Sequence, residues 1–203
     1  MVLVRHAETE WNAVGRWQGH GGAGLSARGR SQAVTAARFL AVSEPDICVL
    51  AGSDLQRVTE SLEPTARLLR LEPHLDPRLR EIDVGWWSGL TTAQVAERDP
   101  SAYAAYRAGD DVPRGGAETE GQLRIRVTTA IDDLAGRCAG GTLLVFTHGG
   151  PIRTLVAAAL GLSIAQTRGL ATPENCSRTV LQRGPEGTRL LVYSETAFLG
   201  PPD

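Results

Sequence analysis

The chain contains no lysine: all 21 of its basic residues are arginine, against 23 acidic ones and a formal net charge of −2. Such a balance offers no positive field to a polyanion, so neither nucleic acid nor an anionic membrane surface is an expected partner. Long apolar runs are missing too; a stretch such as Leu155–Leu162 is far too short to span a bilayer. The opening Met1-Val2-Leu3-Val4 passes straight into Arg5-His6, which leaves no room for the apolar core of a secretion signal. A cytoplasmic protein is expected. Cysteine is scarce, and Cys48, Cys138 and Cys176 are neither even in number nor closely spaced. That excludes a zinc knuckle and a disulfide framework. Cys48, inside the apolar run Ile47–Ala51, is expected to be a small buried hydrophobe. The four histidines, at 6, 20, 74 and 148, show no metal-ligand spacing. No metal and no cofactor are expected.

What is present is an ordinary globular composition, 42% hydrophobic and 22% charged over 203 residues. At that length a single domain, residues 1–203, buries enough surface to need no staple. Short β-type runs alternate with helical stretches. Val2–Val4, Ile47–Ala51 and Thr142–Thr147 read as buried strands, and Leu75–Leu79 as a weaker one. Ser26 suits the cap of a helix through about Val42. A second helix runs from about Leu55 to Leu69, where Pro64 is expected to kink or divide it. Two short helical pieces, Ala93–Arg98 and Ala102–Ala108, precede the turn Pro113-Arg114-Gly115-Gly116. Thr119 and Gln122 form a capping-box pattern that opens a helix to about Leu134. Pro151 suits the first position of another helix, and Ser177–Arg183 with Thr188–Ser194 reads as a hairpin. The alternation predicts an α/β fold with a largely parallel sheet and an antiparallel edge.

Three strand-to-helix crossings carry chemistry. Val2–Val4 leads into Arg5-His6, Ile47–Ala51 into Ser53-Asp54 and Arg57, and Leu143–Thr147 into His148-Gly149-Gly150. Ligands of open α/β sheets bind outside the carboxyl ends of the strands, so two histidines and two arginines are expected to converge. Paired guanidiniums beside helix N-termini suit a phosphoryl group, and a histidine among them suggests nucleophilic phosphoryl transfer.

The same residues carry a resemblance. Leu3-Val4-Arg5-His6-Ala7-Glu8-Thr9, followed by Trp11-Asn12, resembles the signature of the histidine phosphatase superfamily, in its phosphoglycerate mutase-like branch. Ala7 stands where the usual motif has glycine. The match continues through Gly19, Leu25-Ser26, Gly29 and Gln32-Ala33, then Ser53-Asp54-Leu55-Gln56-Arg57. It extends through Leu79-Arg80-Glu81-Ile82 and Gly85 to Thr147-His148-Gly149-Gly150-Pro151-Ile152-Arg153, spanning about residues 2–160 in order. The resemblance implies a single three-layer α/β/α domain with a mostly parallel sheet and a small cap insertion at about 86–116. It also implies a metal-independent phosphatase of small phosphomonoesters, working through a phosphohistidine.

Carried over residue by residue, the resemblance makes His6 the nucleophile and Arg5, Arg57 and His148 the phosphoryl pocket. Asn12 becomes a further phosphate or substrate contact, and Glu81 the general acid and later base. Gly149 supplies the carbonyl that anchors the second ring nitrogen of His6, and counts among the phosphate-binding residues. Two arginines and a second histidine should depress the pKa of His6 and keep it neutral. Glu118, in Gly116-Ala117-Glu118-Thr119, is expected to shape a helix start rather than to catalyse, His74 to be plain surface and Trp87 to pack.

The rival readings are a phosphoglycerate mutase-type isomerase and a non-catalytic phosphate-binding module. Mutases of the branch carry a longer insertion after the acid, with a lysine and paired arginines. Here Arg98, Arg107 and Arg114 are the only basic residues between Gly89 and Gly115. Hydrolysis is therefore favoured, with a sugar phosphate or phosphoglycerate-type metabolite as substrate and inorganic phosphate as product. Specificity is expected in the Gly15–Leu25 loop and the stretch from Trp86 to Gly116. Whether His20, Trp86, Arg98, Arg107 or Arg114 contact substrate stays open at this level, as does a homodimer.

Overall fold

In the computed structural model, which describes residues 1–44, 46–138 and 140–200, one mixed sheet runs through the molecule. Its order is β3-β2-β4-β1-β5-β6. Strands β1 (Val2–Arg5), β2 (Ile47–Gly52), β3 (His74–Leu75) and β4 (Thr142–Thr147) are mutually parallel, and β5 (Arg178–Gly184) and β6 (Gly187–Glu195) close one edge as an antiparallel hairpin. The crossovers are helical: α1 (Glu10–Ala13) and α2 (Ala27–Ser43) lie between β1 and β2, and α3 (Gln56–Leu69) lies between β2 and β3. The helices α4 (Thr92–Arg98), α5 (Pro100–Ala108) and α6 (Glu120–Ala135) precede β4, and α7 (Gly149–Ala159) follows it.

Strand alternation sorts the core into two layers. Val2, Val4, Leu144 and Phe146 point to one face and pack with Leu40 of α2 and Val58 and Leu62 of α3. Leu3, Leu143 and Val145 point to the other, against Val127 and Ile131 of α6 and Ile152 of α7. Both faces are covered, as a parallel sheet requires. The stretch expected to form a cap contributes Trp87 and Val95 to this second layer. Among the described residues no helix is long and apolar enough to cross a membrane.

Local signals explain most boundaries. Ser26 Oγ accepts from Gly29 N at 3.0 Å to start α2, and Thr119 and Gln122 complete the reciprocal capping box of α6. Four expectations are corrected. Pro64 does not divide α3, which runs unbroken because Val58, Ser61, Leu62 and Thr65 bury one continuous face. The strand expected at Leu75–Leu79 stops at Leu75; Pro77 removes a ladder donor and opens a short 3-10 turn, Pro77–Leu79. Pro151 is the third residue of α7 rather than the first, still inside the turn whose N–H groups lack helical partners. Cys48 is exposed rather than buried, and it forms a disulfide with Cys138, at a Cα–Cα separation of 5.7 Å. The pairing with β4 slips between Ile47 and Val49, which takes Cys48 out of the regular alternation.

Candidate active site

The carboxyl ends of β1, β2 and β4 meet side by side, held by His6 N donating to Thr147 O at 2.8 Å and Ser53 N to Phe146 O at 3.1 Å. Around them opens a cavity of about 420 Å³ lined by Arg5, His6, Asn12, Arg57, Glu81 and Gly149, among others. His148 stands behind His6, with ring centroids 5.2 Å apart and an edge-on angle of 61°. The fold thus gathers every residue that the sequence singled out for the site.

His6 is buried, and its Nδ1 lies 2.8 Å from the carbonyl of Ala7. A carbonyl can only accept, so Nδ1 carries the proton. The anchor is therefore Ala7 and not Gly149, a correction; the carbonyl in hydrogen-bond reach of Nδ1 is that of the next residue in the chain. Burial first, then the charges of Arg57 and Arg5, hold the His6 pKa well below the usual histidine value. The ring is neutral, and Nε2 keeps its lone pair. His148 is also held neutral, by burial and then by Arg57 and His6; its Nε2 shares a 2.9 Å hydrogen bond with Ser53 Oγ.

Arg57 donates from Nη1 to Gly21 O at 2.9 Å and from Nη2 to Gly19 O at 2.7 Å, which ties α3 to the glycine loop. Gly19 has φ +52°, and a Cβ there would crowd Val84 at 2.7 Å. Burial lowers the Arg57 pKa to about 10, so it stays charged at neutral pH. Arg5 donates to Pro173 O at 2.6 Å. In both arginines Nε is buried without a partner, as are His148 Nδ1, Gln18 Oε1 and Arg153 Nε. Buried polar groups are normally satisfied. The unpartnered Nε–H donors of Arg5, Arg57 and Arg153 all line this cavity, and together they call for an acceptor-rich anion.

Glu81 reaches the cavity from the segment after Pro77–Leu79, with its carboxylate accepting from Gly150 N at 3.1 and 3.2 Å and from Ile82 N at 2.9 Å. Arg126 clamps that segment, donating to the carbonyls of Arg78, Arg80 and Glu81 at 2.8, 2.7 and 2.8 Å. Glu118 pairs with Arg126 at 2.6 Å and accepts from Asp83 N, away from the cavity lining. Asn12 Oδ1 accepts from Thr9 and from Asn175 Nδ2, which leaves its NH2 group as a donor.

Of the residues left open, Arg114 lines the cavity, while His20, Trp86, Arg98 and Arg107 do not. His20 instead donates to Glu81 O at 2.9 Å, and His74 lies exposed on β3. The structure adds Arg16, Trp17, Gln18, Tyr106 and Arg153 to the wall. Arg153 lies in the segment Thr147–Arg153 already singled out, and Gln18 in the glycine loop, but neither had a sequence signal for its role. Among the described residues no three His, Cys, Asp or Glu side chains cluster as metal ligands.

Comparison with known proteins adds an independent view. Residues 1–196 match the family model of the histidine phosphatase superfamily (branch 1). Phosphoserine phosphatase 1 of Hydrogenobacter thermophilus is 31% identical over 201 residues, covering 98% of this chain and 94% of that protein. Glucosyl-3-phosphoglycerate phosphatase of Mycolicibacterium vanbaalenii is 34% identical over 173 residues, covering 81% and 75% of the two chains. A mycobacterial glucosyl-3-phosphoglycerate phosphatase solved with VO3 superposes with a TM-score of 0.87 at 30% identity, covering 97% of this chain and 99% of the other.

Proposed function

Because the chain belongs to the histidine phosphatase superfamily, we propose that it hydrolyses small phosphomonoesters at the cavity described above, through a phosphohistidine on His6. The observation that carries this reading is the pinned, neutral His6 ring beside the unpartnered Nε donors of Arg5 and Arg57. Arg5, Arg57, His148 and the NH2 of Asn12 hold the phosphoryl oxygens, and Gly149 at the start of α7 adds the positive end of a helix. His6 Nε2 attacks phosphorus. The P–O ester bond breaks as Glu81 gives its proton to the leaving oxygen, and the alcohol departs. Glu81, now a carboxylate, takes a proton from water, whose oxygen attacks the phosphohistidine. The P–N bond breaks, inorganic phosphate leaves, and Glu81 again carries the proton it gave up. Arginine charge offsets the charge of the transferring group, so the reaction is read as metal-independent.

Isomerisation is the weaker reading. A mutase needs a second anion grip on the cap; of Arg98, Arg107 and Arg114 only Arg114 reaches the cavity, and its charge is met by Glu120. The test is p-nitrophenyl phosphate turnover in EDTA, with the reaction stopped in base and acid-labile phosphate counted on the protein. Turnover with phosphate trapped on wild type and none on His6→Ala is expected. Near-normal kcat in His6→Ala would overturn the covalent route.

A further inference from the structure

The turn Pro173–Cys176 lies outside the stretch of residues 2–160 that carries the resemblance, yet it touches Arg5, His6 and Asn12. Pro173 O accepts from Arg5 Nη1 at 2.6 Å. Asn175 Nδ2 donates to His6 O at 3.1 Å and to Asn12 Oδ1 at 3.2 Å. Cys176 N donates to the carbonyls of Arg5 and His6, at 3.1 Å each. Cys176 is buried with φ +60°, and a non-glycine residue stays left-handed only where its surroundings hold it. Ser194 Oγ pins the turn from β6, accepting from Glu174 N at 2.8 Å. Asn175 does not line the cavity; it lines a separate groove with Glu8, Arg28 and Gln32.

The two ends of an amide have nearly the same shape, so its partners decide which end faces where. Here they decide both amides. His6 O can only accept, so Asn175 turns its NH2 group to it, and the same NH2 meets Asn12. Asn12 must offer oxygen there, as it also does to Thr9 N at 3.1 Å and Thr9 Oγ1 at 2.9 Å. Its own NH2 is then left for the cavity that Asn12 lines, where a phosphoryl oxygen needs a donor. We propose that Asn175 is a positioning residue for phosphoryl binding: acting through Asn12, its amide keeps a donor and not an acceptor turned toward the phosphoryl group. This rests on the phosphatase reading above and is independent of the leaving group. In Asn175→Asp a carboxylate faces His6 O and Asn12 Oδ1, acceptor against acceptor. Asn12 then turns over and presents its oxygen to the phosphoryl oxygens. Asn175→Ala removes one of three donors to Asn12 and leaves Thr9 to hold the orientation.

The test is a double-mutant cycle on affinity for inorganic phosphate, read as competitive inhibition of p-nitrophenyl phosphate turnover and by calorimetry. Asn175→Asp and Asn175→Ala are each made alone and beside Asn12→Ala. A hydrogen bond to a charged group predicts that Asn12→Ala and Asn175→Asp each weaken phosphate by about tenfold to a hundredfold, and Asn175→Ala by about threefold. Beside Asn12→Ala, neither change at 175 should add more than about twofold. An added charge repels phosphate in either background, so an equal loss from Asn175→Asp in both overturns the proposal. Wild-type affinity in a folded Asn175→Asp protein overturns it too. Should Asn175→Asp not fold, Asn175→Ala carries the same cycle, and its threefold loss must vanish beside Asn12→Ala. Unchanged affinity in Asn12→Ala, with phosphate still trapped on His6, overturns the proposal and leaves the phosphatase reading standing. A wild type that neither binds phosphate nor turns over p-nitrophenyl phosphate sinks that reading, and the positioning role with it.

Discussion

The carboxylate of Glu81 accepts the backbone N–H of Gly150 through both oxygens, at 3.1 and 3.2 Å. The contact joins the acid to the first turn of α7, the helix that begins directly after His148. The bond fixes the side chain at the mouth of the phosphoryl pocket. A Cβ at position 150 would overlap Glu81 Oε1, so only glycine allows this approach.

Gly150→Ala is therefore expected to lower kcat on alkyl phosphates by roughly tenfold or more, because it displaces the group that protonates the leaving oxygen. Thermal stability should change little, since alanine is the better helix former by up to about 1 kcal/mol. Unchanged kcat in a folded Gly150→Ala protein would detach Glu81 from this anchor.

Acid stability follows from the two buried histidines. Burial and then Arg57 lower the pKa of His6, and burial, Arg57 and His6 lower that of His148. The unfolded chain binds protons at both below about pH 6.5, while the folded chain refuses them. Stability therefore rises with pH up to about 6.5 and then levels off, with a slope of at most about 1.4 kcal/mol per pH unit for each histidine. Melting temperature measured from pH 7 down to pH 5 is expected to fall, and to fall less steeply in His148→Gln. A flat profile in wild type would mean that both rings titrate normally.

The disulfide between Cys48 and Cys138 closes a sequence separation of 90 residues. Bridges over loops of that order typically contribute about 2–4 kcal/mol. For a chain of this size that is roughly 4–16 °C in Tm. The oxidised protein should show one titratable thiol after unfolding, that of Cys176, which burial otherwise pushes up to about 12. Thiol counting and melting with and without reductant check both numbers; three free thiols in air-oxidised protein would rule the bridge out in solution.

Much of the fold was legible because local and tertiary preferences agree. Thr142–Thr147 is apolar on both faces because helices cover both sides of β4, and Ser26 and Thr119 announce their helices through their own side-chain oxygens. Misreadings arose where tertiary packing overrode a local rule. Pro64 breaks isolated helices, but here the buried side of α3 holds the turn together. Cys48 looks internal within its apolar run, but its partner lies 90 residues on, after α6 in sequence, which no spacing reveals. The phosphoryl cradle was readable from three strand ends. The outer wall was readable only as two stretches, the Gly15–Leu25 loop and Trp86–Gly116, which hold Arg16 and Tyr106; the individual residues, and Arg153 of α7, meet only in the folded chain.

The roles assigned to Glu81 separate in Glu81→Gln, which keeps shape and hydrogen bonding but removes the transferable proton. The amide can still face Gly150 N with its oxygen, so the local geometry that holds residue 81 is expected to survive. Proton transfer to a leaving group is typically worth about 10²–10⁴-fold, and kcat on alkyl phosphates should drop by that order. Nitrophenolate leaves readily without a proton, so phosphorylation of His6 by p-nitrophenyl phosphate should be impaired far less. Dephosphorylation still needs a base to activate water, and the amide offers none. Phosphohistidine should therefore accumulate, with an initial burst of nitrophenol equal to the enzyme present, followed by a slow steady rate. Rapid-mixing absorbance with acid-labile phosphate counted on the protein reads both steps. An equal, small loss on both substrates with no trapped phosphoenzyme would take the acid role away from Glu81. Among the described residues Glu81 is the one carboxylate in the cavity lining, so that outcome would point to a solvent proton donor rather than to Glu118, whose oxygens Arg126 and Asp83 N already occupy.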